Sequence, residues 1–148
     1  MRMVTFSRSA ELTWSGDVVT GSGNVKAITG AFDVAATFPT LRGERERTTT
    51  PEELLAASHA VCFGIGLRSV IARRGGSASG IVTTATITAE KGPDGIRIRR
   101  SHLRGIVVGL EGLEAERLTE IGGIVEQQCT ISTAIRDSVA ISYEIVAE

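Results

Sequence analysis

Thr50-Pro51-Glu52-Glu53-Leu54-Leu55-Ala56-Ala57-Ser58-His59-Ala60-Val61-Cys62-Phe63 opens a helix and sets the architecture around it. Thr50 suits the N-cap, Pro51 the first helical position, and Glu53 completes a capping box in which each polar side chain satisfies a backbone donor. Glu52 and Glu53 also sit at the positive end of the helix dipole. From Leu54 to Ala72 the segment is apolar nearly all the way round, broken mainly by Ser58, His59, Arg68 and Ser69. A helix of that composition belongs in an interior. It should stop at Arg73-Arg74-Gly75-Gly76, where cations meet the negative end of the dipole and glycine supplies a left-handed cap.

Upstream, Glu11–Trp14, Val25–Ile28 and Phe32–Ala36 read as strands, broken by Ser15-Gly16-Asp17 and Gly21-Ser22-Gly23, so an antiparallel meander is expected. The polar run from Leu41 to Thr50 reads as an exposed loop. Downstream, residues 81–89 and 95–108 read as two strands joined by Lys91-Gly92-Pro93-Asp94-Gly95, a cluster able to close a hairpin. Ile96 and Ile98 alternate with Arg97 and Arg99, which predicts one solvated face. Leu113, Leu118, Ile121, Ile124 and Val125 fall at helical spacing up to Gln127; a short helical piece should run from Cys129 to near Asp137. Val139, Ile141, Tyr143 and Ile145 alternate in a closing strand. The order is that of an α+β fold with a mostly antiparallel sheet packed on the helices, a single domain over residues 1–148. One thin layer of strands is little cover for a helix that is apolar on every side, so two copies of the chain are expected to enclose two such helices.

A chain of 148 residues with 22% charged residues, a formal net charge of −1 and 4% aromatics offers neither a basic face nor stacking platforms for nucleic acid. Arg and His interrupt every long apolar run, which argues against a membrane span. Met1 to Ser9 has no apolar core of the kind a secretory signal needs, so a cytoplasmic location is expected, where thiols stay reduced. Gly21-Ser22-Gly23 and Gly75-Gly76 form no phosphate-binding pattern, and no nucleotide cofactor is expected.

The chain holds only two cysteines, Cys62 in the helix and Cys129 in Glu126-Gln127-Gln128-Cys129-Thr130-Ile131-Ser132. Two thiols distant in sequence and joined by folding can cycle between dithiol and disulfide, the minimum equipment for reducing a peroxide. The thiolate is the nucleophile, so the reactive cysteine needs help to lose its proton. Cys62 lies about three turns into its helix, too deep for its own N-terminal dipole, and must borrow a cation. His59, one turn earlier, and Arg42, Arg45 and Arg47 in the preceding loop are the candidates, with Glu52 available to hold an arginine. Cys129, at the start of a helical turn, would have its sulfur near free backbone N–H groups, as suits a resolving cysteine. His59 with Cys62 is a possible nucleophile and base for hydrolysis, but no oxyanion-hole motif accompanies them. His59, Cys62, His102 and Cys129 match the paired spacings of zinc sites poorly, and no metal is expected. A histidine on such a helix is also commonly just a hydrogen-bonded interior residue.

The stretch from Thr50 to Phe63 resembles the Asn-Pro-Glu-Glu-Leu and Ala-Ala-His-Ala-x-Cys-Phe motifs of the OsmC/Ohr family of thiol-dependent peroxidases, the histidine being closer to the OsmC branch. Trp14-Ser15-Gly16-Asp17 resembles that family's early Trp-x-Gly-Asp, and Cys129-Thr130-Ile131-Ser132 its second-cysteine motif. The resemblance implies a long buried central helix cradled by curved antiparallel sheets in an intertwined homodimer, with the active site near the subunit boundary. It implies a peroxidatic Cys62, a resolving Cys129, and a Glu52 that orients an arginine; counting back ten residues from Glu52 gives Arg42. It further implies reduction of organic hydroperoxides at the expense of a dithiol such as a lipoyl group, without a cofactor. The chain departs from the family pattern in having Cys129-Thr130 for Cys-Pro, Thr48-Thr49-Thr50 for Gly-Thr-Asn, and no Phe-x-x-Arg-Phe run in the loop before them. A protein that keeps the fold and binds an apolar ligand or partner without turnover is the alternative.

Overall fold

The computed structural model describes residues 2–38 and 47–148, and the chain forms two compact units, Met1–Pro51 and Glu52–Glu148. In the first unit, strands β1 (Ala10–Ser15), β2 (Ser22–Ala27) and β3 (Asp33–Ala36) form the expected antiparallel meander in the order β1-β2-β3. The β1–β2 connection is built by the Trp14-Ser15-Gly16-Asp17 motif. The Trp14 indole N–H donates to the Gly16 and Asp17 carbonyls at 3.1 and 3.3 Å, and Asp17 Oδ1 accepts the Val19 and Thr20 amides, each at 2.8 Å. Gly16 takes φ +88°, a left-handed turn that a side chain would strain. Beyond β3, Thr49 lies along its edge, its amide donating to the Ala35 carbonyl at 2.8 Å.

The second unit begins with α1 (Pro51–Arg73), followed by β4 (Gly80–Gly92), β5 (Gly95–Val108), a 3-10 turn (Ala115–Arg117), α2 (Leu118–Gln128), α3 (Thr130–Ile135) and β6 (Ala140–Ala147). The glycine pair ends α1 as expected. Gly75, at φ +85°, donates to the Ala72 carbonyl at 3.1 Å and Gly76 to the Ile71 carbonyl at 2.9 Å, the two bonds of a Schellman cap. The β4–β5 hairpin closes with Gly92 opposite Gly95, leaving Pro93-Asp94 as the turn.

Two features depart from the sequence expectation. First, β6 pairs with β5 in parallel, Arg100 opposite Ala140 through Val107 opposite Ala147, so the sheet β4-β5-β6 is mixed. The α2–α3 segment between them is a crossover, and a crossover returns the chain in the direction it left. Second, the hydrophobic alternation of β5 changes phase. A bulge where Thr88 faces Arg100 and Ala89 faces Ile98 leaves Arg99 as the extra residue, and beyond it the odd-numbered Ser101, Leu103, Gly105 and Val107 turn inward while His102 and Arg104 stay exposed. One inserted residue moves every later side chain to the opposite face, so the alternation that has Ile98 half-buried before the bulge buries odd-numbered residues after it.

Phe63, Leu67, Val70 and Ile71 of α1 pack with Leu103 and Val107 of β5 and Leu118, Ile121 and Val125 of α2 in one buried cluster. Residues 59, 63, 67, 70 and 71 form a single buried stripe along α1. Among the described residues the cover is uneven: Val61 is 61% and Ile65 67% exposed on the side away from that stripe. The expectation of a helix buried all round is therefore met on one side only within a single chain. Its length and mean hydropathy of 1.6 are those of a membrane-crossing segment, but the buried stripe makes α1 the core helix of this unit.

Candidate active site

Three pieces of the second unit carry the chemistry: the middle of α1, the inward face of β5, and the corner between α2 and α3. Cys129 is that corner. Its amide ends α2 by donating to the Val125 carbonyl at 2.8 Å, and its carbonyl starts α3 by accepting from Thr133 at 2.9 Å, with φ −65° and ψ 123° between the two helices. Its sulfur then serves as the N-cap of α3, accepting the Ser132 amide at 3.5 Å. Arg136 braces the corner from beyond α3, donating to the Glu126 carboxylate at 2.9 Å and to the Glu126 carbonyl at 2.8 Å.

Cys62 is half-buried on α1 and Cys129 is 4% exposed; both are free thiols. Their acidities are pushed in opposite directions. Burial raises the Cys62 pKa, but the nearby Ile131 amide, Cys129 thiol, Thr130 amide and Thr130 hydroxyl together outweigh it and hold the thiol below its ordinary value. Burial pushes the Cys129 thiol up; the Ser132 amide opposes this, and the bond with Cys62 adds to the rise. Each sulfur shifts the other's acidity, with Cys62 the better thiolate.

The sequence suggests a cation at Cys62; among the described residues the groups that lower its pKa are neutral ones of Ile131, Cys129 and Thr130. Of the free amides expected to serve Cys129, that of Ser132 bonds its sulfur, while those of Thr130 and Ile131 lower the pKa of Cys62. Thr130 occupies the first helical position, where a proline would supply neither donor.

His59 is fully buried, with Nδ1 2.7 Å from Ser101 Oγ on β5 and Nε2 2.7 Å from Ser132 Oγ on α3. Burial holds its pKa below the ordinary histidine value, against a smaller upward pull from Glu126. With both ring nitrogens engaged by serine hydroxyls, neither is left to take a proton from Cys62. Neither serine was singled out from the sequence; the signal for Ser132 is its place three residues after the residue that caps α3. His102 lies on the exposed face of β5, bonded to Ser142 at 2.7 Å, and no group of three or more His, Cys, Asp and Glu side chains suited to a metal occurs among the described residues. Glu52, in the first turn of α1, has its Oε2 buried without a hydrogen-bond partner among the described residues. Arg42 and Arg45 lie outside the described residues, and Arg47 is exposed.

Comparison with known proteins places the sequence and fold among relatives. The family model described as OsmC-like protein matches residues 43–144. Peroxiredoxin OsmC of Escherichia coli (strain K12) is 27% identical over 142 residues, covering 96% of this chain and 99% of that protein. Organic hydroperoxide resistance protein OhrB of Bacillus subtilis (strain 168) is 26% identical over 125 residues, covering 84% and 89%. An organic hydroperoxide resistance protein from Elizabethkingia anophelis shares the fold with a TM-score of 0.78 over 99% of this chain and all of the other, at 21% identity. With the family model spanning well over half its length, this chain belongs to the OsmC family.

Proposed function

We propose that this protein is a thiol-dependent peroxidase that reduces organic hydroperoxides, with Cys62 as the peroxidatic and Cys129 as the resolving cysteine. The observation that carries the reading is that folding brings the two free thiols, Cys62 on α1 and Cys129 at the α2–α3 corner, close enough to shift each other's pKa, Cys62 down and Cys129 up. The names of the E. coli and B. subtilis relatives agree with it. The Cys62 thiolate attacks one oxygen of ROOH; an S–O bond forms, the O–O bond breaks, and the alkoxide leaves as alcohol after taking a proton. Cys62 is then a sulfenic acid, oxidised by two electrons. The Cys129 sulfur attacks it, the S–S bond forms, the S–O bond breaks, and water leaves. A dithiol such as a lipoyl group returns two electrons and two protons and restores both thiols. Glu52, with its unsatisfied carboxylate oxygen, is proposed to orient an arginine, which the sequence spacing assigns to Arg42. The uncovered Val61 and Ile65 favour a homodimer in which a second copy covers that side of α1, and two free thiols suit a reducing, cytoplasmic location.

The test is mass spectrometry of two variants after one equivalent of cumene hydroperoxide, beside turnover of the unaltered protein with dihydrolipoamide or thioredoxin. Cys129→Ser should stop at sulfenic acid on Cys62 after that one equivalent and pass on to sulfinic acid only when a second equivalent is added; Cys62→Ser should be inert. Equal loss in both variants with no oxygen trapped on Cys62 overturns the assignment. A second reading, binding of an apolar ligand without turnover, is favoured by one feature, a groove of about 480 Å³ lined by Val61, Gly64, Ile65, Arg68, Ile81 and Thr83. Absence of turnover with every peroxide and reductant pair would select it.

A further inference from the structure

His59 is buried and titratable, and the peroxide chemistry above gives it no step. Its surroundings are specific. The ring spans α1, β5 and α3 through two hydrogen bonds of 2.7 Å, to Ser101 and Ser132. Burial keeps it neutral, so it has one N–H and one lone pair, and it must donate to one serine while accepting from the other. The three side chains are therefore oriented together. Ser132 in turn gives its backbone amide to the Cys129 sulfur at 3.5 Å. On the other side, His59 stands three residues before Cys62 on the same rigid helix, a spacing that puts the two on neighbouring positions of one face. One imidazole is thus tied to both sulfurs, by the helix to Cys62 and by Ser132 to Cys129.

Such a tie has a purpose in the geometry of disulfides. A six-residue helix such as α3 cannot hold itself in place and takes its position from tertiary contacts. Apolar packing alone would tolerate a small slide, whereas a disulfide requires Cβ atoms within a window of about 1 Å. The His59–Ser132 bond and the Arg136–Glu126 pair hold α3 at its two ends. Burying three polar side chains costs stability unless each is bonded, and here the cost maintains a fixed aim.

We propose that His59 is a positioning residue for the disulfide step: through Ser132 it holds Cys129 where it can close on Cys62. The proposal rests on the two-cysteine reading and adds a residue to it.

Equilibrium of the protein with dithiothreitol redox buffers measures the effective concentration of one thiol at the other, and diamide supplies a closure rate; neither needs a peroxide. Ser132→Ala and His59→Leu should each lower the effective concentration at least tenfold, which is about 30 mV in disulfide potential. His59→Gln, which keeps one donor and one acceptor, should recover part of that loss. Should His59→Leu fail to fold because it orphans two buried hydroxyls, the triple variant His59→Leu/Ser101→Ala/Ser132→Ala removes every partner together and keeps the test open. An unchanged potential and closure rate alongside a lowered melting temperature would make His59 a packing residue and overturn the proposal. If the unaltered protein consumes no cumene hydroperoxide but the diamide and potential shifts appear, the peroxidase reading falls and the positioning role stands. If diamide forms no internal disulfide in the unaltered protein, both fall.

Discussion

Gly66 stands where α1 passes α2, and a methyl group placed on it would lie 2.7 Å from Val125 Cγ1. Ordinary carbon–carbon contact is about 3.5–4.0 Å, so Gly66→Ala requires about 1 Å of movement. Val125 cannot supply it by itself: it is 1% exposed within the core cluster, and a β-branched side chain on a helix has essentially one rotamer. The helices must separate instead. Replacing a mid-helix glycine gains about 1 kcal/mol of helix propensity, while overpacking a filled core costs about 1–3 kcal/mol, so the second effect decides the sign. We expect a net loss of about 1 kcal/mol and a melting temperature lower by about 3 °C. The functional effect should be larger. Val125 accepts the Cys129 amide, so moving α2 off α1 moves Cys129 off Cys62 by an amount comparable to the whole tolerance of a disulfide. Diamide-driven closure should slow several-fold, and Val125→Ala combined with Gly66→Ala, which returns the volume, should recover much of the rate. Thermal melts and thiol titration decide it: a Gly66→Ala protein as stable as the parent and closing its disulfide as fast would refute the packing argument.

Three further outcomes are expected. Thr130→Pro keeps a residue suited to the first helical position but removes the amide and hydroxyl that help lower the Cys62 pKa, so the pH profile for iodoacetamide alkylation of Cys62 should move upward; an unmoved profile would show that the remaining Ile131 amide and Cys129 thiol suffice. Because burial holds folded His59 below its free value of 6.5, the unfolded chain takes up that proton first as pH falls; the stabilising contribution is complete above pH 6.5 and is lost as pH falls through the lower, folded value. Urea midpoints between pH 8 and pH 5 should show this acid limb, and His59→Gln should flatten it; an unchanged limb in the variant would assign it to other groups. Arg136→Ala leaves Glu126, whose side chain is only 13% exposed, without its cation and with only the Gln127 amide at 3.2 Å, and should cost about 1–3 kcal/mol in chemical denaturation, with a wild-type midpoint counting against the brace at the α2–α3 corner.

What the sequence determined by itself was local. The start and end of α1 follow from Pro51 and from the Gly75-Gly76 pair, and the β4–β5 hairpin from Pro93-Asp94, because caps and turns are set by residues within one turn of the chain. The beginning of α2 was less legible, since apolar spacing from Leu113 does not distinguish the 3-10 turn at Ala115–Arg117 from the helix that follows. Cys62 and Cys129 stood out as the only thiols, and their motifs identified the family. Tertiary structure alone decided the rest. The parallel pairing of β6 depends on a crossover, and the phase change of β5 on one bulged residue that no local propensity marks. The partners of His59 lie 42 and 73 residues away, so no spacing rule announces them. Half of the groups that lower the Cys62 pKa are backbone amides, which every sequence possesses and only a fold can aim. A thiol's acidity is set by what surrounds it in space, and those surroundings come from chain segments far from it in sequence.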